Sequence, residues 1–317
     1  MVGERRLISS INNDTNTLIQ HHVPESYSTL SLENLKVTTY PENASSVTPV
    51  IVVTLDRPRQ RNAFTLRAME DLESLFPKFD VDERVKCVVL TGAGDTFCAG
   101  IDLQRGFDAM GRTEKLLDNR DPGGRINLAI SRCRKPTIVA MNGSAAGIGM
   151  TMTLAADIRI AHASSKYVFP FSQLGITMES NWSFFLPRLI GYSNAIYLLT
   201  TSEPQRGDSK FFSSLFHEVY DERERVLSRA LEIAILMAEK TSGLASPPTP
   251  EETHILESAI GFSISGSSDV KEGVDSFFEK RIPKFEATLE KDGPPIYPWY
   301  REVDFGLTRP KKASSKL

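Results

Sequence analysis

The sequence has few features of secreted, membrane-spanning or metal-binding chains. Only three of its 317 residues are cysteine, Cys87, Cys98 and Cys133, and no two of them form a CxxC pair. So few scattered cysteines predict neither a disulfide framework nor a zinc or redox site, and we expect reduced thiols. The most apolar stretch, residues 143–156, is shorter than the roughly 20 residues that a membrane-spanning helix requires.

An excess of basic charge is also missing. The chain has 37 basic and 40 acidic residues, so it lacks the positive balance typical of nucleic-acid-binding proteins. Its 40% hydrophobic and 9% aromatic content excludes disorder as the main character. The length and composition predict a globular protein of one large domain or two ordinary ones.

The two ends of the chain differ from its middle. Residues 1–30 are rich in Asn, Ser and Thr without periodicity, and we expect an extension that packs loosely if at all. The beginning lacks the apolar core of a signal peptide. The last three residues, Ser315-Lys316-Leu317, match the tripeptide that the peroxisomal import receptor reads. We therefore expect a peroxisomal protein with that receptor as a partner.

Strands alternate with helices between residues 31 and 200, which predicts an α/β core. Apolar residues recur every three or four positions from Leu66 to Phe79 and indicate a helix capped by Thr65. The small-residue run that ends at Ala156 is interpreted as another helix. Runs rich in Val, Ile and small residues predict buried strands at 48–56, 85–92, 136–141 and 157–161.

Beyond residue 200 the pattern changes. Residues 222–240 and 269–285 have helical periodicity, and a proline-rich breaker separates them. We therefore predict a helical region over 201–314, whose apolar faces pack on the core or on other subunits.

Two glycine-rich segments, FCAGIDL (97–103) and NGSAAGIGM (142–150), follow predicted buried strands. Glycines at such exits let the backbone turn sharply and approach a ligand closely, so two turns can aim two amide groups at one oxygen. Two other interpretations stay open at this point. The glycines could serve tight packing alone, or GAGDTF (92–97) could belong to a dinucleotide site, although Phe97 occupies the position of that motif's third glycine.

The order of several motifs resembles the crotonase superfamily, the enoyl-CoA hydratase/isomerase fold. The similarity covers about residues 30–200 and resumes near 269–285, whereas 201–268 departs from the usual pattern. The motifs that carry it are DRPRQRNAF, LTGAGDTFCAGIDL, KPTIVAMNGSAAGIGMTMTLAADIRIA and EGVDSFFEKR. The resemblance implies a spiral of ββα units with a helical C-terminal trimerisation region.

What this family implies is acyl-CoA thioester chemistry with an oxyanion hole of two backbone amides. Matched motif by motif, the amide donors are those of Ile101 and Ile148. The neighbouring positions in the two turns, which the resemblance places against the substrate, are Ala99, Gly100, Gly147 and Gly149.

The family's hydratases use two glutamates, but the matching positions here are Thr151 and Phe171. Neither side chain can serve as that acid or base. Residues 169–187 resemble the corresponding segment of peroxisomal delta-3-delta-2-enoyl-CoA isomerases, whose single catalytic glutamate falls on Glu179. Taken without the resemblance, Glu179 would be an ordinary loop residue. Ser180-Asn181 replaces the glycines that usually follow it.

Aromatic residues surround Glu179 in the sequence. We expect Phe171, Trp182, Phe184 and Phe185 to exclude water and to raise the pKa of the Glu179 carboxyl.

Cations are expected to bind the phosphates of coenzyme A. Arg59 and Arg61 match the family's coenzyme A edge, and Lys280 matches a lysine that can reach the ligand of a neighbouring subunit. Each could instead be a solvated charge, which is the commoner case for such residues. The resemblance further implies a homotrimer or hexamer. It implies no metal and no cofactor, since coenzyme A is part of the substrate.

The sequence thus predicts a peroxisomal isomerase that converts 3-enoyl-CoA to trans-2-enoyl-CoA through one carboxylate. Two alternatives remain open: a hydratase-like enzyme or acyl-CoA lyase that uses the same hole with another base, and a CoA-ester-binding protein without catalysis.

Overall fold

The fold is a mixed α/β arrangement built around two sheets. The computed structural model describes residues 23–42, 44–102, 120–174, 180–240 and 268–281, together with 284, 286 and 288. Ten strands lie in these ranges, in chain order β1 (Leu35–Tyr40), β2 (Val50–Leu55), β3 (Cys87–Gly92), β4 (Thr96–Cys98), β5 (Thr137–Met141), β6 (Ser144–Ala146), β7 (Ile158–His162), β8 (Lys166–Val168), β9 (Gln205–Arg206) and β10 (Glu218–Tyr220). Seven α-helices lie there too, α1 (Leu66–Val81), α2 (Pro122–Arg132), α3 (Ile148–Thr151), α4 (Trp182–Ile190), α5 (Tyr192–Thr201), α6 (Arg223–Lys240) and α7 (Ser268–Glu279).

The larger sheet has the strand order β1-β2-β3-β5-β7-β10, parallel except for β1. Side chains alternate between its faces, as the two-residue period of a strand requires. Ile51 and Val53 join the core that contains α1, whereas Val50 and Val52 join the core beneath α6. Because both faces are covered, the central strands β3 and β5 are buried at every position and mostly apolar.

The smaller sheet has the order β4-β6-β8-β9, and β4, β6 and β8 are parallel. Each of β4, β6 and β8 follows a strand of the larger sheet, so the chain alternates between the two sheets. This arrangement brings the carboxyl ends of β4 and β6 to the same edge.

Several predicted elements are confirmed. The helix over 66–81 has Thr65 as its N-cap, whose hydroxyl accepts the amide of Ala68 at 3.1 Å. Its predicted apolar stripe is buried, with Met69, Leu72 and Phe79 at most 1% exposed. The strands over Cys87–Gly92 and Thr137–Met141 are buried at every position.

The prediction of a helix up to Ala156 is wrong. The run contains strand β6, a one-turn helix from Ile148 to Thr151, and then a series of tight turns. The guanidinium of Arg159, 4% exposed, donates to the carbonyls of Thr153 and Ala156 in those turns. This side chain satisfies backbone acceptors that a longer helix would satisfy internally.

The prediction that the region after residue 200 is helical is only partly right. Helices α6 and α7 are present, but β9 and β10 also lie there. Strand β10 pairs in parallel with β7 and extends the larger sheet. Its three residues are too few to produce a visible alternation in the sequence.

The N-terminal extension packs more tightly than expected at its described end. Tyr27 is 1% exposed, its ring lies 5.0 Å from that of Phe79, and its hydroxyl donates to Asp82 at 3.0 Å. The chain therefore joins the core before residue 30, while residues 1–22 lie outside the described ranges. Within those ranges, no helix combines the length and apolar character that crossing a bilayer requires.

Candidate active site

The two glycine-rich turns lie side by side. Cys98 at the end of β4 is in register with Ala145 of β6, and the strands run parallel, so both turns leave the same edge of the smaller sheet. The first turn contains Ala99, Gly100 and Ile101, and the second contains Gly147, Ile148 and Gly149.

Glycine is required at two positions because the turns pack against each other. Gly100 has a φ of 98°, and a Cβ there would lie 2.9 Å from the carbonyl oxygen of Ala146. A Cβ on Gly149 would overlap the carbonyl oxygen of Cys98. The glycines thus allow backbone-to-backbone contact between the turns, which is the tight-packing role that the sequence left open.

The amide of Ile101 is oriented by a short bridge to Phe64. Phe64 donates its N–H to Gly100 at 2.8 Å, and Asp102 donates its N–H to Phe64 at 2.9 Å. In a parallel bridge of this kind, the residue between these two bonds directs its own N–H to the opposite side. The Ile101 N–H therefore faces away from Phe64.

The amide of Ile148 is the first of helix α3, and such N–H groups have no acceptor within their helix. Gly147 precedes it with a φ of 54° and a ψ of −124°, a conformation that glycine adopts readily. Among the described residues, neither the Ile148 nor the Ile101 amide donates to a backbone carbonyl. Both groups are therefore able to bind an oxygen of a ligand.

An ion pair that sequence reasoning missed holds the first turn. The guanidinium of Arg57 lies 2.7 Å from the carboxylate of Asp102 and also donates to the carbonyl of Ala63 at 3.1 Å. Both charged side chains are mostly buried, at 16% and 11% exposed. Since Asp102 directly follows Ile101, the pair restrains the backbone that carries the first donor.

Two buried asparagines, also missed, tie neighbouring loops together. The Asn62 amide donates to the carbonyls of Ala93 and Thr96, and the Asn142 amide donates to those of Gly92 and Gly94. Both asparagines lie within the motifs that carried the resemblance. Their sequence signal was only that of polar residues beside buried strands.

The positions of the two expected hydratase glutamates are buried and hold no carboxylate. Thr151 is 0% exposed on α3, and Phe171 is 4% exposed. The hydroxyl of Thr151, the Asn127 carbonyl oxygen and the hydroxyl of Ser180 are enclosed and have no hydrogen-bond partner in the described part of the chain. The Asn127 amide donates to the backbone carbonyls of both Thr151 and Ser180, which places these residues together.

Glu179 lies outside the described residues, so its placement stays a prediction. The residues that follow it, Ser180 and Asn181, have φ values of 67° and 55° and precede α4. Of the aromatic residues that the sequence predicts to surround Glu179, Trp182 and Phe185 pack partly buried against the core. Phe184 is 42% exposed with the Arg188 guanidinium 3.7 Å from its ring centre, so the expected enclosure does not include it.

The predicted coenzyme A cations are exposed. The backbone carbonyl of Arg61 accepts the amide of Ala99 at 2.9 Å, which places the Arg59 and Arg61 loop beside the first glycine turn. Lys280 is exposed immediately after α7, and the structure records no contact that joins it to the two turns within the described ranges.

Other reactive side chains near the site are structural. Burial raises the pKa of the Cys98 thiol to about 12, so this sulfur is protonated at neutral pH. His162 bonds to Ser165 at 2.8 Å and to the carbonyl of Asp221 at 2.9 Å. The described residues include no group of three or more His, Cys, Asp or Glu side chains arranged to hold a metal ion.

Comparison with known proteins shows the family to which the chain belongs. Residues 46–288 match the family model for enoyl-CoA hydratase/isomerase. The chain belongs to the enoyl-CoA hydratase/isomerase family. It is thereby a member of the crotonase superfamily, as the motifs indicated.

Three similar proteins illustrate the range of this family. An enoyl-CoA hydratase of Alternaria alternata is 41% identical over 84% of this chain and 91% of that protein. The 1,2-epoxyphenylacetyl-CoA isomerase of Escherichia coli is 31% identical over 74% of this chain and 94% of its own. A crystal structure of a probable enoyl-CoA hydratase/isomerase from Mycobacterium abscessus superposes with a TM-score of 0.68 at 28% identity, covering 76% of this chain and 96% of that one.

Proposed function

We propose that this protein is an enoyl-CoA hydratase-type enzyme, in which the Ile101 and Ile148 amides bind the thioester oxygen of the substrate. The observation that carries the proposal is the contact between the two glycine turns, which leave the same edge of the smaller sheet. Charge develops on the thioester oxygen when a nucleophile adds to the double bond or a proton leaves the adjacent carbon. Each donor placed there stabilises the transition state by about 2.7–4 kcal/mol.

Hydration adds the oxygen of water to the β carbon of a 2-enoyl-CoA and a proton to the α carbon, giving a 3-hydroxyacyl-CoA. The 41% identity with a protein named enoyl-CoA hydratase favours this reaction over the isomerisation expected from the sequence. We assign both proton transfers to Glu179, whose carboxylate takes a proton from the water and then delivers a proton to the α carbon.

Isomerisation of 3-enoyl-CoA to 2-enoyl-CoA is the second candidate. Thr151 and Phe171 place no carboxylate at the positions where the family's hydratases have their two glutamates. A single carboxylate suffices when the proton removed from the α carbon is returned to the γ carbon. The description of the matching family model includes isomerase, and one relative is named 1,2-epoxyphenylacetyl-CoA isomerase.

One experiment separates these candidates. Purified protein is mixed with 2-hexenoyl-CoA or with 3-hexenoyl-CoA, and conjugation of the thioester is followed by ultraviolet absorbance. Loss of absorbance from the 2-ene supports hydration, and a gain from the 3-ene supports isomerisation. No change with either substrate contradicts both and favours a CoA-ester-binding protein without catalysis.

The role of Glu179 is tested in the same assay. Glu179→Gln removes the acid and base function, so we expect kcat to fall roughly 10²-fold or more. Glu203→Gln, a change of the same type on the exposed surface after α5, is the control. Equal activity of the two variants would remove Glu179 from the mechanism.

Arg59 and Arg61 are proposed to bind the phosphates of coenzyme A, as their exposure beside the first glycine turn allows. Changing both to glutamine should raise KM about tenfold and leave kcat nearly unchanged, because the lost charge-assisted hydrogen bonds lie far from the reacting carbons. Lys280→Gln tests the third cation separately. Unchanged KM values would show that these residues are solvated charges only.

Peroxisomal import is proposed from Ser315-Lys316-Leu317, which lie outside the described residues. A fluorescent protein fused to the N-terminus leaves this tripeptide free. We expect the fusion to enter peroxisomes, and deletion of Leu317 to leave it dispersed. Retained peroxisomal fluorescence after the deletion would contradict the proposal.

A homotrimer or hexamer is also proposed. Several helices expose large apolar side chains, among them Leu128 of α2, Tyr192 of α5 and Leu236 of α6, at 40%, 73% and 49%. Such side chains are often covered in assemblies. Sedimentation should give the molecular mass of three or six chains of 35.2 kDa each. The mass of a monomer would contradict the proposal.

A further inference from the structure

Two hydrogen-bonded peptide units connect Arg57 to the first proposed donor. The guanidinium Nη1 of Arg57 donates to the carbonyl of Ala63 at 3.1 Å. The N–H of that peptide unit, which is the N–H of Phe64, donates to the carbonyl of Gly100 at 2.8 Å. The N–H of the Gly100 peptide unit is in turn that of Ile101. The series therefore extends from a positive charge to the amide that we assign to the thioester oxygen.

The geometry of the peptide bond aligns the members of this series. Neither of the two peptide units contains proline, and such units are planar and trans, so their C=O and N–H groups point in opposite directions. A donor bound to the carbonyl of Gly100 therefore sets the direction of the Ile101 N–H directly, because both groups belong to one plane. The same holds for the carbonyl of Ala63 and the N–H of Phe64.

The start of the series lies in a mostly buried environment. The side chain of Arg57 is 16% exposed, and its backbone N–H donates to the Oδ1 atom of Asn62 at 2.9 Å. The same Nη1 atom lies 2.7 Å from the carboxylate of Asp102, which is 11% exposed. Hydrogen bonds that follow one another away from water polarise each other, so a charge at one end strengthens the donor at the other end.

The second proposed donor has a different support. The carbonyl of Gly147, in the peptide unit of the Ile148 N–H, accepts the amides of Met150 at 2.9 Å and Thr151 at 3.0 Å. These donors are neutral backbone groups of the one-turn helix α3. The Ile101 amide thus differs from the Ile148 amide in being connected to a charged side chain.

We propose that Arg57 is a positioning residue that orients and polarises the Ile101 N–H through these two peptide units and so strengthens its hydrogen bond to the thioester oxygen. Asp102 limits the effect, because its carboxylate offsets part of the guanidinium charge. The inference rests on the proposed function in that it takes the Ile101 amide as a donor to the thioester.

Two variants change the charge at the start of the series in opposite directions. Asp102→Asn removes the carboxylate charge but keeps an oxygen that can accept from the guanidinium. Arg57→Gln/Asp102→Asn removes the guanidinium as well, without leaving the carboxylate beside a neutral residue. The matched control is Arg134→Gln/Asp80→Asn, which removes an ion pair of similar burial, 9% and 14% exposed, between α1 and the segment before β5.

The probe is hexanoyl-CoA labelled with carbon-13 at its thioester carbonyl. This ester has no double bond, so the protein can neither hydrate nor isomerise it. Isotope-edited infrared spectroscopy measures the carbonyl stretch of the bound ester, whose frequency falls as the hydrogen bonds to its oxygen strengthen. We expect Asp102→Asn to lower the frequency below that in the unchanged protein and Arg57→Gln/Asp102→Asn to raise it.

The catalytic rate should change in the same sense. With whichever hexenoyl-CoA the unchanged protein converts, kcat should fall about three- to tenfold in Arg57→Gln/Asp102→Asn, since polarisation changes each bond by about 10–30% and a whole donor is worth about 10²–10³-fold. It should not fall in Asp102→Asn, and KM should change less than twofold. Arg134→Gln/Asp80→Asn should match the unchanged protein in frequency and kcat even where its melting temperature is lower.

Other results overturn the proposal. An unchanged or higher frequency in Asp102→Asn would show that the guanidinium charge does not reach the ester, and this result decides even if the double variant does not fold. An equal rise in Arg134→Gln/Asp80→Asn would show a general effect of losing a buried ion pair. Failure of the proposed function is distinguishable, because the frequency in the unchanged protein would then be no lower than that of the free ester in water, and the inference would fail with it.

Discussion

At the scale of single residues, the lack of a Cβ at Gly100 and Gly149 determines whether the two glycine turns can pack against each other. A Cβ on Gly149 would overlap the carbonyl oxygen of Cys98, and a Cβ on Gly100 would lie 2.9 Å from that of Ala146. The backbones of the two turns therefore pack directly against each other. The sequence signals for this were strong because glycines clustered directly after two predicted strands. The two proposed amide donors belong to isoleucines, Ile101 and Ile148, and only the motif resemblance distinguished them.

Gly149→Ala should disrupt the proposed oxyanion hole formed by the Ile101 and Ile148 amides. The added Cβ would overlap the Cys98 carbonyl, so the turns must separate and the Ile148 N–H must move. Loss of one such donor corresponds to a fall in kcat of roughly 10²–10³-fold. Steady-state kinetics on the folded fraction measures this fall.

Gly207→Ala is the matched control. A Cβ at Gly207 would overlap the carbonyl of His162 in the same manner, but near β9 instead of the two turns. Both variants should lower the melting temperature, and only Gly149→Ala should lower kcat of the protein that remains folded. Similar kcat values in the two variants would contradict the proposed role of the Ile148 amide.

At the scale of elements, local sequence and tertiary contacts disagree in one instructive place. The run 143–156 has the small residues of a closely packed helix, yet only Ile148–Thr151 forms one. Before it, Ser144–Ala146 pairs with both β4 and β8, since pairing on both sides satisfies its backbone groups. After it, Arg159 binds the carbonyls of the turns. Composition alone does not report either interaction.

Asn142 is expected to hold the ends of β3 and β5 together. Its side chain donates to the carbonyls of Gly92 and Gly94 and accepts the N–H of Gly92 at 3.2 Å, and it is 8% exposed. Asn142→Ala leaves these buried groups without that partner and should lower the free energy of unfolding by about 1–3 kcal/mol. Urea denaturation measures the change.

Asn194→Ala provides the comparison, because within the described part of the chain the Asn194 side chain makes one part-buried bond, to the carbonyl of Ile190. Its effect should be about 1 kcal/mol or less. If both variants lose the same stability, the several side-chain bonds of Asn142 contribute no more than the bond of Asn194, and the expectation is wrong.

At the scale of the whole molecule, residues after position 200 complete the larger sheet and cover one face of it. Strand β10 pairs with β7, and α6 packs its buried side chains on the sheet. A cluster on α6 and β10 joins the two, because Arg229 binds Glu218 at 2.9 Å and Glu232 at 3.1 Å. This contact has a consequence for stability in acid.

Hydrogen bonds from Arg229 and then from Tyr220 lower the pKa of the Glu218 carboxyl to about 2 from an ordinary value of 4.5. A group whose pKa is lower in the folded state stabilises the fold above its unfolded pKa and loses that contribution as the pH falls. The free energy of unfolding should therefore decrease between pH 4.5 and 2, and less steeply in Glu218→Gln. Guanidinium unfolding at several pH values tests this.

Arg229→Gln removes the main cause of the lowered pKa and should flatten the same pH dependence. Adding Glu218→Gln to Arg229→Gln should then change the slope little, because the coupling between the two residues is already lost. Parallel curves for all variants would show that this pair makes no contribution in acid.

The sequence by itself determined the central α/β pattern, the capped helix α1 and the glycine turns, since each depends on residues close together in the chain or on local periodicity. Only the tertiary structure decided that β10 joins the larger sheet, that Tyr27 enters the core and that α2 binds Ser180. Asp121 and Ser180 are separated by 59 positions, so their hydrogen bond depends on how the helices pack. A polar residue at the start of a helix predicts its cap, whereas a second partner from a distant segment is brought into reach only when the whole chain folds.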